Sequence, residues 1–256
     1  MENVTKVITL INELKDAKSL IQNSFDISKR LDIVMEIIFV CELPLFDIPS
    51  FFKSSDDTID LNRIKNEINN IIKDLDIKRD IAIFVYIDDS LDRVKHLIQS
   101  PHEIIIMSYK KSISKMILEN INNPILIMKK DKDIKSSITI VNFSSKYKSC
   151  LINSNYLFPE IQNSIIYDYR YIIDPTMQSD LQNIKELEDE NRKKFKEILD
   201  YSSLDGDFFI DNSISKDKLI GHIAKSEVDL VIDCTNNHDI SFAKELDCNL
   251  LYFNRE

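Results

Sequence analysis

The chain has 256 residues, 43% hydrophobic and 30% charged, with 33 basic against 43 acidic side chains and a net charge of −10. That composition suits a globular protein with a sizeable core, while the acidity argues against nucleic acid or an anionic membrane as partner, because both select basic surfaces. The apolar runs are strand-sized and none approaches the ~20 residues of a membrane helix; the opening MENVTKVITL is unlike a signal peptide, so a cytoplasmic location is expected.

The first strand is expected in KVITLIN (6–12), an alternating apolar run that ends on Asn12. A helical stretch carrying Lys18-Ser19 follows, then EIIFV (36–40) as a second strand. The next segment, LPLFDIPSFF (43–52), holds two prolines and three phenylalanines and suits a loop packed on the core or an interface. DLNRIKNEINNIIKDL (60–75) has apolar residues at helical spacing with charges between them. Residues 81–108, IAIFVYIDDSLDRVKHLIQSPHEIIIMS, read strand, helix, strand. A basic turn at Lys110-Lys111, a short helix and a final strand in PILIM (124–128) complete this half.

The order then recurs. SITIVN (137–142) matches KVITLIN and ends on Asn142, with Lys148-Ser149 at the offset of Lys18-Ser19. SIIYDY (164–169) matches EIIFV and also leads to a proline-bearing loop. DLQNIKELEDENRKKFKEILDY (180–201) is the long helix, its Glu/Lys pairs reading as a solvated face. DFFIDNSISKDKLIGHIAKSEVDLVIDC (207–234) aligns with 81–108, setting His222 on His96 and Ser226 on Ser100, and NLLYF (249–253) matches PILIM. The charged stretch KKDKDIKSS (129–137) separates the halves, giving domains at 1–130 and 136–256. Strand and helix alternating in this way predict parallel sheets with right-handed crossovers, and runs such as IIIM and LVI fit strands buried on both faces.

Several chemistries lack their residues. Gly206 and Gly221 are the only glycines, where average usage of about 7% would give about 18; neither a G-x-G-x-x-G nor a P-loop can be written. Cys41, Cys150, Cys234 and Cys248 show no C-x-x-C or zinc spacing and read as buried thiols. His96, His102, His222 and His238 form no metal-ligating pair, and no nucleophile-elbow motif appears. Asp88 and Asp89 at a strand end suggest a phospho-accepting pocket, but only Glu13 could support its Mg²⁺. Helix capping by Asp88, Asp89 or Ser90, with Asp92 in the first turn, is the simpler expectation.

The succession of elements resembles a tandem universal stress protein. The features that carry it are the helix-acid-strand pattern RVKHLIQSPHEIIIMS, the closing strand NPILIMKK, and Glu103 and Asp229, which stand where the family usually has Asp before its fourth strand. The resemblance implies two tandem flavodoxin-like, doubly wound α/β domains, each a five-stranded parallel sheet flanked by helices. It also implies that the last strands, Ile125-Leu126-Ile127 and Leu250-Leu251-Tyr252, pair the domains within the chain, with a homodimer as the analogous assembly between chains.

Where nucleotide-binding members of the family have Asp after the first strand, this chain has Asn12 and Asn142. Of the family's G-x₂-G-x₉-G-[S/T] phosphate loop, Ser108 and Lys111 fill the first two glycine positions. Residues 112–123 are too few for the usual loop plus helix. CTNNHDISFAKELDCN (234–249) is equally short and glycine-free. The expected function is therefore non-enzymatic, through an unidentified protein partner and without a cofactor. The competing expectation is an ATP or AMP switch held by Asn12, Val40, Ser108, Lys110 and Lys111.

Overall fold

A computed structural model describes residues 4–42, 60–131, 134–171, 180–212, 215–235 and 240–253. The loop LPLFDIPSFF, the proline-bearing segment after residue 171 and His238 lie outside the described residues. The chain divides into two compact units, Glu2–Pro124 and Ile125–Glu256.

The first unit runs β1 (Lys6–Ile11), α1 (Leu14–Leu31), β2 (Val34–Glu42), α2 (Leu61–Asp74), β3 (Ala82–Asp88), α3 (Ser90–Leu97), β4 (Glu103–Ser108) and α4 (Lys111–Asn120). Its strands lie in the order β3-β2-β1-β4, every pair parallel, with Lys6 in register with Val34 on one side and Glu103 on the other. β1 is buried along its whole length, as its unbroken apolar run requires. In α1 the buried positions Ala17, Leu20, Ile21, Ser24, Ile27 and Ser28 recur at helical spacing and form the stripe that packs on the sheet. The helix stops at Asp32, whose φ of 52° reverses the chain.

The second unit runs β5 (Ile125–Met128), β6 (Ser136–Val141), α5 (Tyr147–Leu157), β7 (Gln162–Arg170), α6 (Asp180–Ser202), β8 (Gly206–Asp211), α7 (Asp217–Ala224), β9 (Leu230–Asp233), α8 (Ile240–Glu245) and β10 (Asn249–Tyr252). Its strand order is β5-β10-β9-β6-β7-β8, parallel throughout except that β5 runs antiparallel to β10. β5, the closing strand of the first sequence repeat, thus packs within this unit. Gly206 opens β8 where a Cβ would lie 2.6 Å from the carbonyl oxygen of Ile165, so that close approach of strands needs glycine.

In each repeat the chain adds strands to one side of its first strand, β1 or β6, and then crosses to the other. That reversal, at β1/β4 and at β6/β9, opens a crevice outside the carboxyl ends of the strands. The amino ends carry the matched acids. Glu103, 3% exposed, faces Lys6 Nζ at 3.4 Å; Lys6 also meets Glu36 at 3.1 Å and donates to the Leu97 carbonyl at 3.0 Å. Asp229 accepts from the backbone N–H of Lys135 and Ser136 at 3.1 and 3.2 Å. Both acids fasten the start of the fourth strand of a repeat to the start of its first.

Candidate functional site

At the carboxyl edge of the first unit, the residues singled out in the sequence bond to their own neighbours. Asn12, just past β1, donates through Nδ2 to the Val40 carbonyl at 3.2 Å and to Ser90 Oγ at 2.8 Å. One amide thereby bridges the end of β2 and the first turn of α3. Ser108, the last residue of β4, donates to Asp16 Oδ2 at 3.0 Å in the first turn of α1. Lys110 Nζ lies 2.5 Å from Glu13 Oε1, so this half of the basic turn is an ion pair across the crevice rather than a solvated group. Lys111 begins α4 and is exposed. The Glu13 carboxyl is held down to about 2, chiefly by the hydrogen bond from Lys110 and then by that from Lys15.

The turn after β4 is also rebuilt. Lys110 is extended, with φ −134° and ψ 114°. Among the described residues, positive φ occurs at Asp32, Asp76, Ser203 and Glu227, all at or just past helix ends. No left-handed residue shapes the turn at 108–111, so it forms none of the concave N–H cradle that a phosphate occupies. α4 starts straight after it and keeps ten residues. The shortness of 112–123 therefore reflects the missing loop and not a truncated helix.

Asp88 and Asp89 serve α3. Asp89 is its N-cap and accepts from the Asp92 N–H at 3.0 Å. Asp88 accepts from the Asp89 N–H at 2.9 Å and pairs with Arg93, contacts that lower its carboxyl pKa in that order. Among the described residues no cluster of His, Cys, Asp and Glu is arranged to hold a metal ion.

The second unit treats the same edge differently. Asn142 turns into its own loop, its Oδ1 accepting from the Ser144 N–H at 3.0 Å and from the hydroxyls of Ser144 and Ser145 at 2.8 and 2.9 Å. The loop from Asn142 to α5 is three residues longer than that from Asn12 to α1, so the matched Lys-Ser pairs fall at different helical positions. Beside this loop lies a cavity of about 570 Å³, walled in part by Phe143, Tyr169, Tyr171, Ile184 and Leu187. Several of its polar groups are bonded within the protein. Arg170 Nε reaches both Asp168 oxygens at 2.9 Å and Nη1 reaches the Ser215 carbonyl at 2.5 Å. Thr235 Oγ1 donates to Asp233 Oδ1 at 2.6 Å.

In the core of this unit Tyr167 stacks on Phe208 at 5.2 Å, with Phe195 5.7 Å from both. Its hydroxyl donates to Asn191 Oδ1 at 2.6 Å, and burial pushes its pKa upward.

No family model and no curated protein sequence matches the chain. Solved structures do. A functionally unknown protein from Pseudomonas aeruginosa PAO1 superposes with a TM-score of 0.62 at 10% identity, over 98% of this chain and 92% of that one. A universal stress protein from Archaeoglobus fulgidus DSM 4304 superposes with a TM-score of 0.53 at 12% identity, over 99% and 97%. The fold is that of the universal stress proteins. A Pseudomonas aeruginosa UCBPP-PA14 protein named for the same family agrees, with a TM-score of 0.60 at 10% identity over 98% and 93%. The universal-stress-protein fold thus runs the length of the chain as two tandem flavodoxin-like α/β repeats. No helix among the described residues is long and apolar enough to cross a membrane.

The strands singled out for pairing meet residue by residue: Leu250 faces Ile127, Leu251 faces Leu126 and Tyr252 faces Ile125. Asn249, 1% exposed, extends the contact by accepting from the backbone N–H of Lys129 and Lys130 at 2.9 and 3.0 Å. Lys129 Nζ then donates to the carbonyls of Ala243 and Leu246 at the end of α8. Burial lowers its pKa.

One expectation about the cysteines fails. Cys150 and Cys234 are joined in a disulfide, with Cα atoms 5.9 Å apart and 84 residues between them in sequence. Cys41 and Cys248 are free thiols, both with pKa raised by burial, Cys248 to about 11. Spacing rules look for local pairs and miss this one. The repeat itself holds the clue, because Cys234 stands at the position of Ser108, which in the first unit also reaches back to the first helix.

Proposed function

We propose that this chain is a non-enzymatic, cytoplasmic stress-response protein of the universal stress type, acting through protein contacts or assembly without bound ATP. The observation that carries this reading is the interlock at the first crevice. The Asn12 amide, the Ser108 hydroxyl and the Lys110 ammonium, the groups a nucleotide would need, are bonded to Val40, Ser90, Asp16 and Glu13. A ligand would have to replace these contacts on a turn that offers no cradle of backbone N–H groups.

In this reading the domains are 1–130 and 136–256, with β5 and β10 as the pairing strands. Antiparallel register at Leu126–Leu251 supports that role. The same kind of edge pairing would join two chains in a homodimer, since apolar strand edges need covering. The partner is another protein, with neither nucleic acid nor membrane as target, in keeping with a net charge of −10.

A second reading keeps one observation in its favour. Asn12, Val40, Ser108, Lys110 and Lys111 do gather at one carboxyl edge, the place where α/β folds bind ligands. A nucleotide switch at that edge requires Lys110 to leave Glu13. Denaturing the freshly purified protein and chromatographing what it releases separates the two readings. The first expects no nucleotide; near-stoichiometric ATP or AMP would establish the second.

A further inference from the structure

We propose that Cys150 and Cys234 form a reversible thiol–disulfide couple, oxidised by peroxide, that braces the first helix of the second unit against the end of its central strand β9. The two Cα atoms are 5.9 Å apart, within the range a disulfide spans without moving the backbone. Cys150 sits in the second turn of α5, and Cys234 directly follows β9, its N–H donating to the Ile140 carbonyl of β6 at 3.0 Å. The bond therefore runs from helix to sheet at the carboxyl edge, beside Thr235, which lines the cavity there.

The two sulfurs differ in surroundings. Cys150 lies one turn in from the positive amino end of α5, its N–H donating to the carbonyl of Lys146, the N-cap, at 3.2 Å, with no acid in the first turn. That setting favours a thiolate. Cys234 follows the buried Asp233, which disfavours one. Cys150 is accordingly the attacking group. Its thiolate takes one oxygen from hydrogen peroxide and becomes a sulfenic acid as water leaves. The Cys234 thiol then attacks the Cys150 sulfur, forming the S–S bond and releasing the second water. A dithiol reductant reverses the step by exchange, becoming oxidised as both thiols return.

The first unit gives the unoxidised counterpart. There the residue ending the fourth strand, Ser108, is tied to the first helix by a 3.0 Å hydrogen bond to Asp16. The second unit places a bond that responds to oxidant where the first has one that does not. Cys41 and Cys248 serve as internal controls, because burial raises the pKa of both thiols and neither has a disulfide partner.

The test uses the full chain, reduced with dithiothreitol, desalted and titrated with hydrogen peroxide, followed by intact mass and peptide mapping. The expected result is loss of two of the four thiols as a Cys150–Cys234 bond, restored in the folded protein by dithiothreitol. Cys234→Ser is expected to stop at a sulfenic acid on Cys150 that a dimedone probe traps, and Cys150→Ser to abolish rapid oxidation. Four thiols surviving excess peroxide would overturn the proposal. So would oxidation beginning at Cys41 or Cys248, Cys150→Ser reacting as fast as the parent, or a bond that dithiothreitol breaks only after unfolding.

Discussion

The two carboxyl edges of this chain start from the same strand order and end in opposite designs. In the first unit Asn12 reaches outward to Val40 and Ser90, and Glu13 and Lys110 meet across the crevice. In the second, Asn142 folds back on its own serines, the loop to the helix is three residues longer, and a cavity of about 570 Å³ lies open between aromatic walls. Neither edge has a glycine to shape a phosphate cradle. The same strand order without a glycine-shaped turn thus leaves a crevice with more than one stable resolution. One repeat fills it with polar contacts, and the other keeps the space and carries a disulfide next to Thr235 at its wall.

Removing the brace is the strongest way to break the comparison. Cys150→Ser is expected to lower the unfolding free energy of the oxidised chain by about 2–4 kcal/mol, because the bond closes a separation of 84 residues. Urea unfolding with and without reductant checks this, and with reductant present the variant and the parent should converge. The first unit's counterpart, Ser108→Ala, removes one hydrogen bond and should cost about 1 kcal/mol, equally in both conditions.

The asparagines sharpen the contrast at a smaller scale. Asn12→Ala leaves the Val40 carbonyl and the Ser90 hydroxyl without this donor and should cost about 1–2 kcal/mol. Asn142→Ala gives up contacts confined to one exposed loop and should cost less than about 1 kcal/mol. Equal losses in urea unfolding would mean that the two amides do the same work after all.

The smallest effect is a titration. Because the Glu13 carboxyl is held at about 2 against an ordinary value of 4.5, its link to Lys110 is fully present above pH 4.5. A depressed carboxylate loses its contribution as pH falls, so the link should weaken between pH 4.5 and 2 and be unchanged from pH 5 upward. An NMR titration of the Glu13 side chain follows it directly, and Lys110→Met should return the midpoint towards the ordinary range.

Much of the frame was legible in the sequence. The run EIIIMS became β4 and KVITLI became β1, because apolar, β-branched runs of that length are stable only inside a two-sided sheet. A cap for α3 among Asp88, Asp89 and Ser90 was legible for a local reason, and the structure selects Asp89. The edges were harder to read. A missing glycine says that a left-handed turn is disfavoured, but not that Lys110 would straighten the turn and reach Glu13. The matched Lys-Ser pairs suggested equal loops, whereas the residues Phe143-Ser144-Ser145 lengthen the second loop. The Cys150–Cys234 contact depends on the tertiary fold that brings α5 to the end of β9, and no spacing rule contains that.

The first crevice is closed by its own side chains. Calorimetric titration of the nucleotide-stripped chain with ATP, with and without Mg²⁺, tests it most directly. No binding heat is expected up to millimolar ATP in the parent protein or in Asn12→Asp, since one added carboxylate supplies neither a glycine-shaped turn nor a phosphate loop. Micromolar binding by the parent, abolished by Lys110→Met, would contradict it and make the basic turn a working nucleotide site.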